Sequence, residues 1–309
     1  MPVIQLNKFP TIKWIVVIAT IFSSHILACN FKTESNQNIT DSLFIYKIPS
    51  NQLDQFKYET GVLFWHQALQ MSSDSVMIYT QHNRFVLAIL PKKEILNFSD
   101  SCCKDSVFHN YRFNNNLPYN TPIRYLEGKS QFYQWDQVKN YIKPAGAIFS
   151  DLGVNPLLAQ LILLIECPAN PKGISSAGAV GHFQLMPYVA KKYGLKVTHT
   201  IDERTDLTKG SYAAAMHFKS YCIPLANKIL TKHNIPIETD QLWYHLFLLH
   251  VYNAGAGNVA KVMDVIPKTE NGVEVVKFMW SHSAGGFKNA SQNYSQIALA
   301  AYLNFLSKQ

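Results

Sequence analysis

The segment Pro156-Leu157-Leu158-Ala159-Gln160-Leu161-Ile162-Leu163-Leu164-Ile165-Glu166 constrains this chain more than any other. Proline suits the first turn of a helix, and the residues after it are apolar on every side apart from Gln160. Such a helix cannot lie on a surface, so it predicts the centre of a domain. It ends in a carboxylate, followed by Cys167-Pro168. A Glu at the end of an apolar helix most often turns outward into water. If it stays inside, loss of water raises its pKa, and a Glu protonated near neutrality is the form a general acid for a glycosidic bond requires.

The surroundings predict a helical domain. Asp136 to Ile142 fits a short helix stopped by Pro144, and Pro187 to Tyr193 fits another, closed by Gly194. Asp206 suits the N-cap of a helix from Leu207 to Tyr221. Trp243 to Val251 is apolar and aromatic, as expected of a second buried helix ended by Gly255 and Gly257, and Tyr294 to Leu306 closes the chain. Upstream the pattern is mixed. Ser75 to Gln81 and Arg84 to Leu90 flank His82-Asn83 as a candidate hairpin, and Cys102 to Pro122 is Asn-rich and loop-like.

Of the 309 residues, 48% are hydrophobic and only 16% charged, so the chain has ample core and disorder throughout is excluded. The formal charge of +8 would suit an anionic polymer or surface, but no Arg-rich helix, zinc-finger spacing or aromatic RNA-binding signature accompanies it. Nucleic acid is therefore not an expected partner. Lys8 and Lys13 precede an apolar run from Trp14 to Ala28, interrupted by Thr20, Ser23, Ser24 and His25. That run suits an export signal better than a membrane span. Ile26-Leu27-Ala28-Cys29 resembles the lipobox of bacterial lipoproteins, which implies lipidation of Cys29; an uncleaved N-terminal anchor is the alternative. Cys102, Cys103, Cys167 and Cys222 remain, and their pairing cannot be read from spacing.

Three pieces carry a family resemblance. Glu166-Cys167-Pro168-Ala169-Asn170-Pro171 leads into Ser175-Ser176-Ala177-Gly178-Ala179-Val180-Gly181-His182-Phe183-Gln184-Leu185-Met186-Pro187. Tyr252-Asn253-Ala254-Gly255 follows downstream, and Asn293-Tyr294 lies near the end. Together they resemble the soluble lytic transglycosylase (SLT) superfamily, glycoside hydrolase family 23, whose pattern is Glu-Ser, Asn-Pro, Ser-x-x-Gly-Ala-x-Gly, Gln-x-Met-Pro and Tyr-Asn-Ala-Gly. Tyr193-Gly194-Leu195 and Asp202-Glu203-Arg204-x-Asp206 look like a membrane-bound branch of that family.

The resemblance implies a mainly α fold: a lysozyme-like helical catalytic domain preceded by a small mixed α/β accessory region. The expected division is a signal peptide over 1–28, a tether over 29–42, an accessory region over 43–134 and the catalytic domain over 135–309. By the same resemblance Glu166 is the single catalytic acid and base. Ser175, Gln184 and Met186 line saccharide subsites, Tyr252 brings its hydroxyl near Glu166, and Asn253 and Tyr294 complete the cleft wall. The implied substrate is the peptidoglycan glycan strand, cut between N-acetylmuramic acid and N-acetylglucosamine to leave 1,6-anhydromuramyl ends, with no cofactor and no metal. The implied location is the cell envelope, lipid-anchored through Cys29, at the outer membrane facing the periplasm. Goose-type lysozyme hydrolysis of the same bond and a non-catalytic wall-binding protein are the alternatives.

Several positions depart from the pattern. Cys167 stands where the family has Ser and supplies a weaker hydrogen-bonding group. Pro168 and Ala169 replace a small residue and an aromatic. His182 and Phe183 replace an apolar pair, and a lone His there is more readily a packing residue than a base. Gly178 and Gly181 are expected to turn the chain tightly and to let a sugar approach the backbone.

Overall fold

A computed structural model describes residues 45–99, 101–166 and 172–308, without the side chains of residues 96–99 and 101–103. Cys29 and Cys167 lie outside the described residues, as do the side chains of Cys102 and Cys103. The fold is mainly α with one small sheet. Helices α1 (Ser50–Leu53) and α2 (Thr60–Gln70) come first, followed by strands β1 (Ser75–Thr80) and β2 (Val86–Pro91), helix α3 (Ser101–Asn114) and strand β3 (Ile123–Glu127). Helices α4 (Trp135–Asp151), α5 (Pro156–Ile165), α6 (Pro187–Lys192), α7 (Leu207–His217) and α8 (Ile223–Lys232) come next. Helices α9 (Leu242–Ala254), α10 (Ala256–Met263), α11 (Gly272–Ser281) and α12 (Asn289–Ser307) complete the order.

Helix α5 is the buried axis that its sequence demands. Residues Leu157 through Ile165 are all buried, and α4 and α12 pack along it. Asn155 caps its start by accepting from the Leu157 amide at 2.9 Å. The Asn155 amide nitrogen meets His245 Nε2 at 3.0 Å, which ties that cap to α9. The one polar residue in the run is fully used: Gln160 accepts from the Tyr46 amide at 2.8 Å and donates to the Tyr46 carbonyl at 3.1 Å. At the other end Trp135 Nε1 donates to the Leu164 carbonyl at 3.3 Å, filling one of the acceptors that a helix terminus leaves open.

Pro144 does not stop the helix that contains it. Helix α4 runs on to Asp151 with Pro144 inside it. A proline there removes one backbone hydrogen bond, but Ile142, Ala145 and Phe149 lie on one helical face and are completely buried. Their packing outweighs the lost bond. The Asp206 cap is as expected, accepting from the Lys209 amide at 2.8 Å, but α7 ends at His217. A π-helical turn, Phe218–Cys222, follows and leads into α8, where Pro224 sits in the first turn without an amide to donate. Gly255, at φ +78°, ends α9, whereas Gly257 belongs to α10.

The hairpin is present, and β1 also pairs antiparallel with β3, giving the order β2-β1-β3. The two faces of β1 are covered by different helices. Met77 packs with Phe64, Ala68 and Met71, the last of which follows α2, whereas Ile78 packs with Phe108 of α3. Residues 101–114, expected as loop, are therefore helical: Phe108 supplies the anchor that their Asn- and Ser-rich composition does not advertise.

Residues on both sides of the expected division at 134 share one core. Phe56, Val62 and Leu69 belong to the same core as α5, α9 and α12. The Ile48 amide donates to the Tyr302 hydroxyl at 2.9 Å, and the Leu242 amide donates to Gln52 at 2.7 Å. Residues 45–71 are thus part of the helical body, and α2 links it to the sheet. Among the described residues, no helix is long and apolar enough to cross a membrane.

Candidate active site

Glu166 caps the C-terminus of α5, its amide donating to the Ile162 carbonyl at 2.9 Å. Its carboxylate Oε1 accepts a hydrogen bond from the Tyr294 hydroxyl of α12 at 2.6 Å. Burial pushes the carboxyl up to about 7, and the bond from Tyr294 opposes that rise because it favours the charged form. Tyr133 and Tyr252 also feel the Glu166 charge, and burial pushes their phenols up too. The phenols facing this carboxyl therefore stay neutral at ordinary pH. Among the described residues no cation accompanies them.

Downstream, residues 175–185 form a tight double turn. Ala179 donates its amide to Ser175 Oγ at 2.9 Å, and Val180 and Leu185 exchange backbone bonds of 3.2 and 3.0 Å. Gly178 (φ +84°) faces open space. Gly181 (φ +88°) instead faces the chain's own backbone: a Cβ there would sit 1.8 Å from the Arg204 carbonyl oxygen. The close approach that Gly181 permits is thus to Arg204. Gln184 adopts φ +45° and donates its amide nitrogen to the carbonyls of Gly173 (3.2 Å) and Gly181 (3.1 Å). Among the described residues its side-chain oxygen has no hydrogen-bond partner.

Arg204 staples this loop. Nearly buried, it donates through Nη1 to the carbonyls of Gly178 (2.8 Å) and Leu185 (2.9 Å) and pairs with both oxygens of Asp202 (2.8 and 2.6 Å). Sequence reasoning gave Arg204 no role; its one signal was its place in the Asp202-Glu203-Arg204-x-Asp206 stretch. The three acids of that stretch are all occupied. Asp202 holds Arg204, Glu203 accepts from the Lys196 amide and pairs with Lys209, and Asp206 caps α7.

Tyr252 lies within electrostatic reach of Glu166 but donates its hydroxyl hydrogen bond to the Phe183 carbonyl at 2.6 Å. Its ring stacks on Phe218 at 4.9 Å. The hydroxyl bonded to Glu166 is therefore that of Tyr294, and Tyr252 ties the loop before Gln184 to α9. Ser175 is buried with its oxygen used inside the turn, Met186 is half-buried at the start of α6, and Asn253 is exposed at the end of α9. His182 is a packing residue, buried edge-on against Tyr141. Burial pushes its ring below the usual imidazole range. Cys222 is a free, buried thiol.

A half-buried glutamate at the end of a central apolar helix, held by a tyrosine from the last helix beside a Gly-Gln loop, defines a lysozyme-like helical domain. Residues 146–270 match the Transglycosylase SLT domain family. A stretch of 108 residues is 28% identical to "Membrane-bound lytic murein transglycosylase D" of Escherichia coli strain K12, and equally so to the protein of that name from Escherichia coli O6:H1. The match covers 35% of this chain and 20% of each relative, so the chain spans about a fifth of the length of the curated relatives it matches.

Proposed function

We propose that this chain is a lytic transglycosylase that cleaves peptidoglycan glycan strands between N-acetylmuramic acid and N-acetylglucosamine, leaving 1,6-anhydromuramyl ends. The observation that carries the reading is Glu166, a carboxyl pushed to about 7 by burial and held by Tyr294. At neutral pH the protonated and ionised forms are both populated, so one residue can serve as acid and then as base. Glu166 donates its proton to the bridging oxygen as the C1–O bond breaks, with the 2-acetamido group assisting departure. The ionised Glu166 then takes the C6 hydroxyl proton, and the C6 oxygen bonds to C1. Hydrolysis by two carboxylates would need a second free acid. Asp202, Glu203 and Asp206, the acids nearest in sequence downstream, each have a structural partner, which favours the intramolecular route.

Gln184, Met186 and Asn253 are assigned to the saccharide-binding wall, with Ser175, Tyr252 and Tyr294 behind them. The names of the two relatives agree with a murein substrate and an envelope location. Cys29 is assigned as the lipid anchor, placing the domain at the outer membrane on its periplasmic face. A single acyl chain binds weakly, so stable anchoring would need the multiple chains of a mature lipoprotein. Digestion of purified sacculi tests the activity. Wild type should release soluble fragments, and Glu166→Gln should lower release by a factor on the order of 100 to 10,000. Equal release by both proteins would overturn the assignment.

A further inference from the structure

The hairpin tip ends in an unusual residue. Arg84 adopts φ +53°, a left-handed conformation that glycine or asparagine reaches at lower cost. The turn is closed by the Arg84 amide on the Thr80 carbonyl at 3.0 Å and the Phe85 amide on Thr80 Oγ1 at 3.0 Å. The turn itself therefore does not need an arginine. The side chain explains the choice: it leaves the sheet and reaches α12, donating through Nη1 to Gln296 Oε1 at 2.7 Å and through Nη2 to Asn293 Oδ1. Its guanidinium lies 5.6 Å from the centre of the Phe64 ring. Among the described residues no carboxylate pairs with it.

Asn293 and Gln296 flank Tyr294. Asn293 Oδ1 also accepts from Trp65 Nε1 of α2 at 3.3 Å, and its amide nitrogen donates to Asn289 at 3.2 Å. Ser295, on the other side, meets Trp280 Nε1 of α11 at 2.8 Å and His250 Nε2 of α9 at 2.9 Å. The early turns of α12 are thus gripped from several elements, and Arg84 is the only one of these grips that comes from the sheet.

We propose that Arg84 is a positioning residue: reaching from the hairpin tip to Asn293 and Gln296, it fixes the rotation and height of α12 so that the Tyr294 hydroxyl stays on Glu166. The small sheet is then part of the catalytic apparatus, acting through α12 without touching substrate. Burial lowers the Arg84 guanidinium to about 10, and Tyr79 beside it acts in the opposite sense, so the residue remains charged at the pH of any wall assay. The groups facing Glu166 are Tyr294, Tyr252 and Tyr133, and Arg84 is not among them. Its influence must therefore pass through the Tyr294 bond, which makes the proposal separable from a direct charge effect.

The proposal rests on the transglycosylase reading only for its effect on turnover. Its test needs no substrate: titration of the Glu166 carboxyl by 13C NMR, assigned with Glu166→Gln, in the full chain. Tyr294→Phe sets the scale. It removes the bond that favours the ionised form, so the Glu166 midpoint should move to higher pH, with an ionisation constant lower by a factor on the order of ten. Arg84→Met keeps the length and apolar stem but loses both donors, and should raise the midpoint in the same direction by less. Arg84→Lys keeps the charge but lacks the two-pronged fork, so it should fall between Arg84→Met and wild type. Asn83 Oδ1 accepts from Thr80 Oγ1 and from the Phe85 amide at 3.3 Å in the same turn, so Asn83→Ala loosens it without touching α12 and should leave the midpoint in place. Turnover should fall several-fold in Arg84→Met. A folded Arg84→Met or Arg84→Lys with the wild-type Glu166 midpoint would overturn the proposal. So would an equal displacement in Asn83→Ala, which would mark a general loosening of the hairpin. Failure of every variant and wild type to cut glycan would instead refute the enzymatic reading and leave the titration standing.

Discussion

Glu166 combines two opposed demands. The burial that raises its pKa also destabilises its ionised form, and the sign of the resulting pH dependence is fixed. Its folded pKa, about 7, lies above the ordinary carboxylate value, so between pH 4.5 and 7 the native state holds more protons than the unfolded chain. Stability from this group is therefore present at low pH and lost as pH rises through 7. The neutral isostere Glu166→Gln should match wild type near pH 4 and exceed it at pH 8 by on the order of 1–3 kcal/mol in denaturant unfolding, since a tenfold change in a proton-binding constant corresponds to about 1.4 kcal/mol. Lower stability of Glu166→Gln at pH 8 would mean that the carboxylate is well solvated, and the acid assignment would lose its physical basis. Glu166 was legible in the sequence because Ser175, Gly178, Gly181 and Gln184 follow it at fixed spacing; the apolar helix alone would have favoured a carboxylate turned outward. The choice between two tyrosines was not. Tyr252 and Tyr294 both lie on helices with buried faces, and only the position of the Phe183 carbonyl decides which hydroxyl is free to reach Glu166.

Elements whose signals are local were readable in advance. Pro156 set the start of α5, Asp206 that of α7, and Gly194, at φ +87°, closed α6. Elements stabilised from a distance were not. Helix α3 depends on Phe108 packing beneath the sheet, and the second half of α4 depends on Ala145 and Phe149 meeting the core beyond Pro144. The loop over residues 175–185 shows both kinds of information. Its glycines announce the turn, while the arginine that fixes it lies downstream, just before α7. Arg204→Met should leave the carbonyls of Gly178 and Leu185 without their partner and cost on the order of 2–4 kcal/mol. Gly181→Ala places a Cβ against the Arg204 carbonyl at positive φ and should disturb the same contact from the other side. Amide hydrogen exchange should show lost protection centred on residues 178–185 in both variants. Unchanged exchange there would show that Arg204 does not hold the loop.

At the scale of the whole molecule, the helical body and the sheet share α2, whose Val62 and Leu69 enter the main core while Phe64 and Ala68 cover β1. Composition could not reveal this, because a helix with two buried faces lacks the single apolar stripe that marks a domain edge. A fragment of residues 135–308 would strip Phe56, Val62 and Leu69 from the core. Each buried side chain of this kind contributes about 1.5–3 kcal/mol, and together they rival the net stability of a domain. The fragment should therefore show no cooperative thermal transition, and a sharp one would restore the boundary at residue 134. The central claim concerns the product left by Glu166, and muropeptide mass spectrometry after digestion of purified peptidoglycan reads it directly. Release of fragments ending in 1,6-anhydromuramic acid, one water lighter than hydrolysed ends, is the expected result. Reducing ends would identify a hydrolase with a water-activating group, and intact glycan would identify a wall-binding protein; either would contradict a single glutamate serving as acid and base.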